Sequence, residues 1–344
     1  MEQSAANPTV RKSSSKLKWV IVIGIIVFVL VGICGSCFGL MLLGSEDFAT
    51  TSQTQEPSFN IKGSTSQTIA VINLEGIILD DSADAVYEQN VVDYAVSALD
   101  KAKSDKNVRA VILVLNTPGG STYDTARIGD KIDEVKAEGK LVVSVMEQVA
   151  ASGGYWIAAK SDYIVTGSQT ITGSVGALWD IVLYDRLLEK IGVDQLRIHN
   201  IESPNKTIGD GDTRNQEGDK YKILQELANK SYDEFVSVIE EGRGKSRSEF
   251  GNLLDGRIVD GTQAVEAGMA DQLGYFEDAV EYVKTELGLT NPNVKTYERE
   301  KLSPFNSIFA KLNILTPAVD ESHVRMRIML LPTFVSSNSE GENN

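Results

Sequence analysis

Cysteine and histidine are scarce in this chain of 344 residues, which has two of each. Cys34 and Cys37 both lie in one uncharged apolar run, so the rest of the chain contains neither a disulfide nor a cysteine-based metal site. Basic residues are also in deficit, and the formal net charge is −15. Because clustered lysine and arginine are needed to bind phosphates, this balance argues against nucleic acid as a partner.

Charge is absent from residues 19–43, which read WVIVIGIIVFVLVGICGSCFGLMLL. At about 1.5 Å per residue, a helix of that length spans a bilayer. A cleaved signal peptide is the alternative, but its apolar region is usually only about 7–15 residues long. We therefore predict one transmembrane helix. Basic residues precede it and acidic residues follow it, which places residues 1–18 in the cytoplasm and the chain after residue 43 outside the membrane.

The rest of the chain divides by composition. Residues 44–66 are rich in Ser, Thr and Gln and predict a flexible linker, and residues 336–344 predict a disordered tail. Residues 67–290 alternate strand-like apolar runs with helical patterns, and residues 291–335 form a C-terminal extension. This alternation predicts an α/β domain with parallel strands and helices on the sheet faces. The predicted strands include 68–76, 109–116 and 140–146, and the predicted helices 90–105, 121–138 and 214–241.

Two glycine-rich turns follow apolar strands, NTPGGS at residues 116–121 and VAASGGYW at residues 149–156. Glycine lets backbone N–H groups approach a ligand closely, and a helix N-terminus adds partial positive charge. Because the carboxyl ends of parallel strands share one edge of a sheet, both turns are expected to open on the same side. The pattern favours a displayed serine, Ser152, beside backbone donors. The alternative for each turn is a tight bend that only packing requires.

A serine nucleophile needs a base, and few candidates exist. A Ser-His-Asp triad would have to use His199, which follows the strand-like run VDQLRI, or His323. A neutral lysine amine is the other option. Most lysines occupy solvated helical patterns, whereas Lys206 lies in IESPNKTIGDGDT, a loop whose Pro and Gly allow it to bend back over a site. The sequence favours Lys206, with histidine as the alternative.

Four separated motifs occur between about residue 68 and about residue 285. They are NTPGGSTYDTARIGDKI, VAASGGYWIAAKSDYIVTGSQTITGSVGAL, the Lys206 loop and GRIVDGTQAVEAGMADQLG. In this order they resemble the signal peptide peptidase A family, membrane-anchored Ser-Lys proteases related in fold to ClpP and the crotonases. The resemblance implies a ClpP/crotonase-like spiral of parallel strands and helices.

The resemblance also implies a role for individual residues. Ser152 corresponds to the nucleophile and Lys206 to the general base. Gly120 and Gly153 correspond to the donors of the oxyanion hole. Ser174 corresponds to the serine that hydrogen-bonds to the lysine amine and orients it.

The activity implied is endopeptidase cleavage, with remnant signal peptides as substrates and with neither a metal nor an organic cofactor. In short members of the family the subunits form a ring, so we expect a homo-oligomer in which Ser152 of one subunit meets Lys206 of the next. Two alternatives remain: a ClpP-like protease that uses His199, and a catalytically silent membrane scaffold. Ser168, in VTGSQT, corresponds to a structural serine.

Overall fold

A computed structural model describes residues 58–80, 89–208, 211–299 and 329–330. The described strands are β1 Ser64–Glu75, β2 Val108–Thr117, β3 Gly120–Ser121, β4 Leu141–Ala151, β5 Tyr163–Thr166, β6 Ile171–Gly173, β7 Ile258–Asp260, β8 Gln272–Leu273, β9 Pro292–Thr296 and β10 Met329–Leu330. The described α-helices are α1 Val91–Ser104, α2 Thr122–Ala137, α3 Gly153–Ala159, α4 Asp185–Lys190, α5 Asp219–Arg243, α6 Gly261–Ala267 and α7 Phe276–Leu287. The strand–helix order confirms the α/β class.

The main sheet has the strand order β7-β6-β4-β2-β1-β9, with β5 paired to β4 and β8 paired to β5. All of these pairs are parallel except β6–β7, which is antiparallel. The sheet is therefore mixed, and the expectation of parallel strands alone was wrong at this edge. The short β3 pairs separately, and antiparallel, with β10. At the other end of the domain, β1 begins within the predicted linker and Ile61 pairs with Val294.

Both faces of the sheet are buried, as the apolar strand sequences require. Alternate residues of β1 enter two separate apolar clusters: Ile72 and Leu74 pack toward α1, α2 and α3, whereas Ile69 and Val71 pack toward α7. Polar side chains cap the helices. Asn90 Oδ1 accepts a hydrogen bond from the N–H of Asp93 at 2.8 Å, where α1 begins.

One strand-like run of the sequence is not a strand, and the predicted transmembrane helix lies outside the described residues. The run VDQLRI at residues 193–198 forms no strand, and its apolar side chains Leu196 and Ile198 are 84% and 86% exposed. An apolar pattern predicts a strand only where a neighbouring strand can pair with it, and none lies beside this run in the described part of the chain. The predicted transmembrane helix at 19–43 lies outside the described residues, as does His323. No helix within the described ranges is long and apolar enough to cross a membrane.

Candidate active site

The candidate active site lies at the carboxyl ends of two neighbouring parallel strands. β2 ends at Thr117 and β4 ends at Ala151, and Thr117 lies opposite Ala150 in the pairing of these strands. The two predicted glycine turns therefore lie side by side, at the edge of the sheet where α/β proteins bind ligands.

Ser152 has a strained backbone conformation, with φ 55° and ψ −120°. This region favours glycine and is costly for a residue that carries a β-carbon. The Ser152 N–H donates to the Gly173 carbonyl at 2.8 Å, and the Ser152 carbonyl accepts from the N–H of Trp156 at 2.9 Å. These bonds hold the serine between the end of β4 and the start of α3. A strained residue on a sharp strand-to-helix turn is typical of a nucleophile. Ser152 is only 1% exposed and lies at the wall of a cavity, so it is less open to solvent than the sequence predicted.

Gly120 and Gly153, the predicted oxyanion donors, lie next to each other. Gly153 is the first residue of α3, so its N–H has no acceptor within the helix. A β-carbon on Gly153 would lie 3.3 Å from the Gly120 nitrogen and 2.7 Å from Thr125 Oγ1, so no larger residue fits. The Gly119 N–H donates to Thr117 Oγ1 at 3.1 Å, which fixes the neighbouring turn. The two glycines are placed where backbone donors could bind the oxygen of a carbonyl under attack at Ser152.

Ser174 lines the same cavity as Ser152, and the volume of this cavity is about 780 Å³. Like Ser152, it has a positive φ, 54°, and it is buried. Its N–H donates to the Arg257 carbonyl at 2.7 Å, while the preceding Gly173 accepts from Ser152. The structure thus brings the predicted nucleophile and the predicted orienting serine to one cavity.

The outer wall of this cavity comes from α5 and from residues 251–258, which sequence reasoning missed. Tyr232 donates its hydroxyl to the Leu254 carbonyl at 2.8 Å, and the Arg247 guanidinium lies 5.0 Å from the Tyr232 ring centre. Asp255 also lines the cavity and is paired with Arg257 at 2.6 Å. These residues lie in ordinary amphipathic or loop sequence, where no local signal marks them as part of a site.

Lys206 is not brought to Ser152 within the chain. It lies on the 3₁₀ turn Pro204–Thr207 and its side chain is exposed. Among the described residues, neither a lysine nor a histidine lines the Ser152 cavity. His199 is likewise exposed, and its Nδ1 lies 3.0 Å from the Asn200 carbonyl oxygen. Within the described part of one chain, the predicted nucleophile has neither a lysine nor a histidine beside it in the cavity.

Burial raises the pKa of two acidic groups on the elements that carry the site. Burial raises the pKa of Tyr155, and its hydroxyl donates to the Met269 carbonyl at 3.1 Å, which anchors α3. Burial and the negative charge of Glu75 raise the pKa of Glu147, which lies on β4. Neither side chain lines the cavity. They therefore belong to the scaffold of the site and not to its chemistry.

A strained serine at the end of a parallel strand, with glycine amides beside it and a cavity in front of it, is the arrangement that a serine hydrolase of the α/β class would use. The sequence profile of peptidase family S49 matches residues 134–290. A putative signal peptide peptidase SppA of Enterococcus faecium is 32% identical over 246 residues, which cover 70% of this chain and 69% of that protein. The chain belongs to peptidase family S49, a family of serine peptidases.

Other relatives agree with this assignment. A putative protease of Synechocystis sp. is 35% identical over 234 residues, covering 68% of this chain and 79% of that protein. Protease 4 of Haemophilus influenzae is 32% identical over 240 residues, 70% of this chain but only 37% of that longer protein. Among solved structures, a mutant of the 1510-N membrane-bound stomatin-specific protease shares 18% identity with a TM-score of 0.41, covering 69% of this chain and 98% of that one. That structural similarity is too low to support a functional inference.

Proposed function

We propose that the protein is a membrane-anchored serine endopeptidase that uses a Ser152–Lys206 dyad to cleave remnant signal peptides. The observation that carries the proposal is the conformation of Ser152, whose positive φ places it between β4 and α3 beside the Gly119–Gly120 turn. The catalytic domain would have the ClpP/crotonase-like spiral that the sequence motifs imply.

In the proposed reaction, Ser152 Oγ attacks the carbonyl carbon of a peptide bond while the neutral amine of Lys206 takes the hydroxyl proton. The carbonyl oxygen becomes an oxyanion, held by the N–H groups of Gly120 and Gly153. When the tetrahedral intermediate collapses, the C–N bond breaks and the lysine returns the proton to the leaving amine. Water then hydrolyses the Ser152 ester, with the lysine acting again as base.

The base is proposed to come from a second copy of the chain. Two features support this arrangement. The Ser152 cavity has no lysine or histidine of its own among the described residues, and Lys206 follows a segment of residues 182–201 with apolar side chains in solvent. Leu196, Ile198 and Ile201 are 84%, 86% and 92% exposed. An apolar surface of this kind is typical of a subunit contact. A partner seated there would bring Lys206 of the partner subunit toward the cavity, in a homo-oligomeric ring.

Ser174 is proposed to receive that amine. It lies on the cavity with Ser152, and the bond from its backbone N–H to the Arg257 carbonyl does not involve its hydroxyl. A hydrogen bond from the lysine amine to Ser174 Oγ would fix the direction of the nitrogen lone pair. The role is one of orientation, and a weaker effect of its loss is expected than for either dyad residue.

Substrate and location are proposed from the uncharged run at 19–43 and from the relatives. A domain tethered outside the membrane by that run would meet peptide remnants that remain in the bilayer after secretion. The Enterococcus faecium relative is described as a putative signal peptide peptidase. β3 also pairs antiparallel with β10 of the same chain through Gly120 and Ser121, which supports the proposal that this strand accepts an extended segment. A substrate peptide bound in the same way would pass its backbone beside Gly120.

Kinetics of single variants test the dyad. Ser152→Ala and Lys206→Ala are each expected to lose nearly all peptidase activity, and the double variant is expected to be no worse than either, because the two residues act as a unit. Lys106→Ala, at an exposed lysine in the turn between α1 and β2, is the control and should keep its activity. His199→Ala should also be active. Loss of activity in His199→Ala as complete as in Ser152→Ala would contradict a lysine base.

Two further measurements separate the alternatives. A fluorophosphonate probe should label Ser152, and a chain that is not labelled there would be the silent scaffold. A lysine amine acts as a base only when neutral, so kcat/KM is expected to rise toward alkaline pH. A profile that is flat from mildly acidic to alkaline pH, with chemistry rate-limiting, would exclude the lysine base.

A further inference from the structure

Thr125 carries a buried hydroxyl with no hydrogen-bond partner among the described residues. The residue lies on the first turn of α2 and is 1% exposed. Buried hydroxyls are almost always hydrogen-bonded, and one left without a partner is unfavourable. Valine has nearly the same shape and would fill this position without that cost. An unpaired hydroxyl here points to a ligand that is absent from the free chain.

The Thr125 hydroxyl lies against the glycines of the proposed oxyanion site. Thr125 Oγ1 and the Gly120 nitrogen lie 2.7 Å and 3.3 Å from the point that a β-carbon on Gly153 would occupy. Gly153 itself begins α3 and has an N–H without an intrahelical acceptor. The Thr125 hydroxyl and the backbone nitrogens of Gly120 and Gly153 therefore lie close together. Gly153 directly follows Ser152 in the chain.

We propose that Thr125 Oγ1 is a third hydrogen-bond donor at the oxyanion site. This inference rests on the proposed function, in which Ser152 Oγ bonds to the carbonyl carbon and the carbonyl π electrons move to its oxygen. The threonine keeps its own proton throughout and shares it with the oxyanion, whose negative charge is then spread over three donors. Donors that are preorganised around developing charge stabilise the transition state more than the bound substrate.

The test compares Thr125→Val with Thr125→Ser in the full-length, membrane-reconstituted enzyme. Thr125→Val is expected to lower kcat by about tenfold or more while KM changes by less than about threefold, because a transition-state contact is lost. Its melting temperature should equal or exceed that of the unsubstituted protein, since the unpaired hydroxyl is removed. Thr125→Ser keeps a hydroxyl and should recover most of kcat. A peptide aldehyde, which forms a hemiacetal oxyanion with the nucleophile, should bind Thr125→Val more weakly by a factor similar to the loss in kcat/KM.

Three outcomes would overturn the third donor. One is a Thr125→Val enzyme with unchanged kcat. Another is a joint loss of kcat and thermal stability that Thr125→Ser does not restore, because that pattern belongs to a packing contact. The last is unchanged binding of the aldehyde. Thr166→Val is the matched control, a buried threonine on β5 whose hydroxyl donates to the Gly167 carbonyl, and it should leave kcat unchanged.

Ser152→Ala is measured alongside these variants to separate this inference from the proposed function. An inactive Ser152→Ala with a fully active Thr125→Val would reject the third donor alone. An active Ser152→Ala would reject the serine peptidase mechanism itself.

Discussion

At the scale of single residues, Ser152 has a backbone conformation that costs stability. Its φ of 55° and ψ of −120° suit glycine, yet the position holds a serine. Backbone strain of this kind costs about 1–3 kcal/mol and persists only where surrounding structure enforces it. The enforcing bonds are those of Ser152 with Gly173 and Trp156. The strain is located in the backbone of the residue whose hydroxyl the proposed reaction uses.

Two inactive variants measure that strain. Ser152→Gly removes the β-carbon, whereas Ser152→Ala keeps it, so Ser152→Gly is expected to be the more stable by about 1 kcal/mol after the entropy cost of glycine. Thermal or urea unfolding of the two full-length variants gives the comparison. A Ser152→Gly protein that unfolds more easily than Ser152→Ala would mean that the serine backbone is unstrained.

Sequence patterns predicted some of the site residues and missed others for identifiable reasons. The parallel-strand pattern predicted that the turns at 116–121 and 149–156 would share one edge of the sheet. Ser174 was predicted only from the family resemblance, and the structure brings it to the same cavity as Ser152. Thr125 could not be found in this way, because a buried threonine in an amphipathic helix looks like any other. The Arg247–Tyr232 stack depends on how α5 packs over the sheet, which no local pattern encodes.

At the scale of elements, β4, which leads into Ser152, changes its pairing partner along its length. Residues 143–146 pair with β5, and residues 149–151 pair with β6. Glu147 lies at the break between the two pairings, half-buried, and its pKa is raised by burial and by the charge of Glu75. The ionised form of Glu147 is therefore disfavoured, a few residues before the proposed nucleophile.

This position predicts a pH-dependent stability. A folded-state pKa above the ordinary glutamate value of 4.5 means that the ionised carboxylate opposes folding. The stability associated with the protonated form is complete below pH 4.5 and is lost as pH rises through the folded-state pKa. Glu147→Gln is therefore expected to raise the melting temperature at pH 7, with the gain disappearing at acidic pH.

Thermal unfolding between acidic and neutral pH measures this gain, with Glu241→Gln as the control at an exposed glutamate of α5. If the gain in melting temperature is the same at all pH values, or the same in Glu241→Gln, the charge of Glu147 is not its cause.

Element boundaries followed the hydrophobic patterns where tertiary partners exist. The predicted helices at 90–105 and 121–138 are observed as α1 and α2, each within one residue at either end. The strand-like run at 193–198 forms no strand, because no strand in the described part of the chain pairs with it. The antiparallel direction of β6–β7 was not predictable either, since a strand pattern of three residues does not specify which way its partner runs.

At the scale of the whole molecule, residues 182–201 present an apolar surface that a lone subunit leaves in water. Asp substitutions at Leu196 and Ile198 are expected to weaken assembly, because a charge cannot be buried in an apolar contact without a partner. The oligomer mass, measured by mass photometry, and the peptidase activity should fall together in these variants. Ile61→Asp is the control, since Ile61 is 52% exposed and lies far from residues 182–201 in the sequence. Full activity in a dispersed Leu196 and Ile198 variant would show that one subunit is sufficient.

The sequence alone could suggest Lys206 as a base but could not place it. In the proposed arrangement its position relative to Ser152 depends on a second copy of the chain, and patterns within one chain describe only contacts within that chain. The structure gives each half of the proposed site separately: a cavity with Ser152 and without a base, and an exposed turn with Lys206.

Co-assembly of two inactive chains tests the shared dyad most directly. Ser152→Ala and Lys206→Ala proteins are dissociated, mixed, and reassembled, and peptidase activity is measured against each parent treated in the same way. Some contacts in a mixed oligomer join an intact Ser152 to an intact Lys206 of the partner subunit, so part of the activity that both parents lack should return. Mixed oligomers that remain as inactive as the parents, with mixing verified by mass, would contradict a dyad formed between subunits.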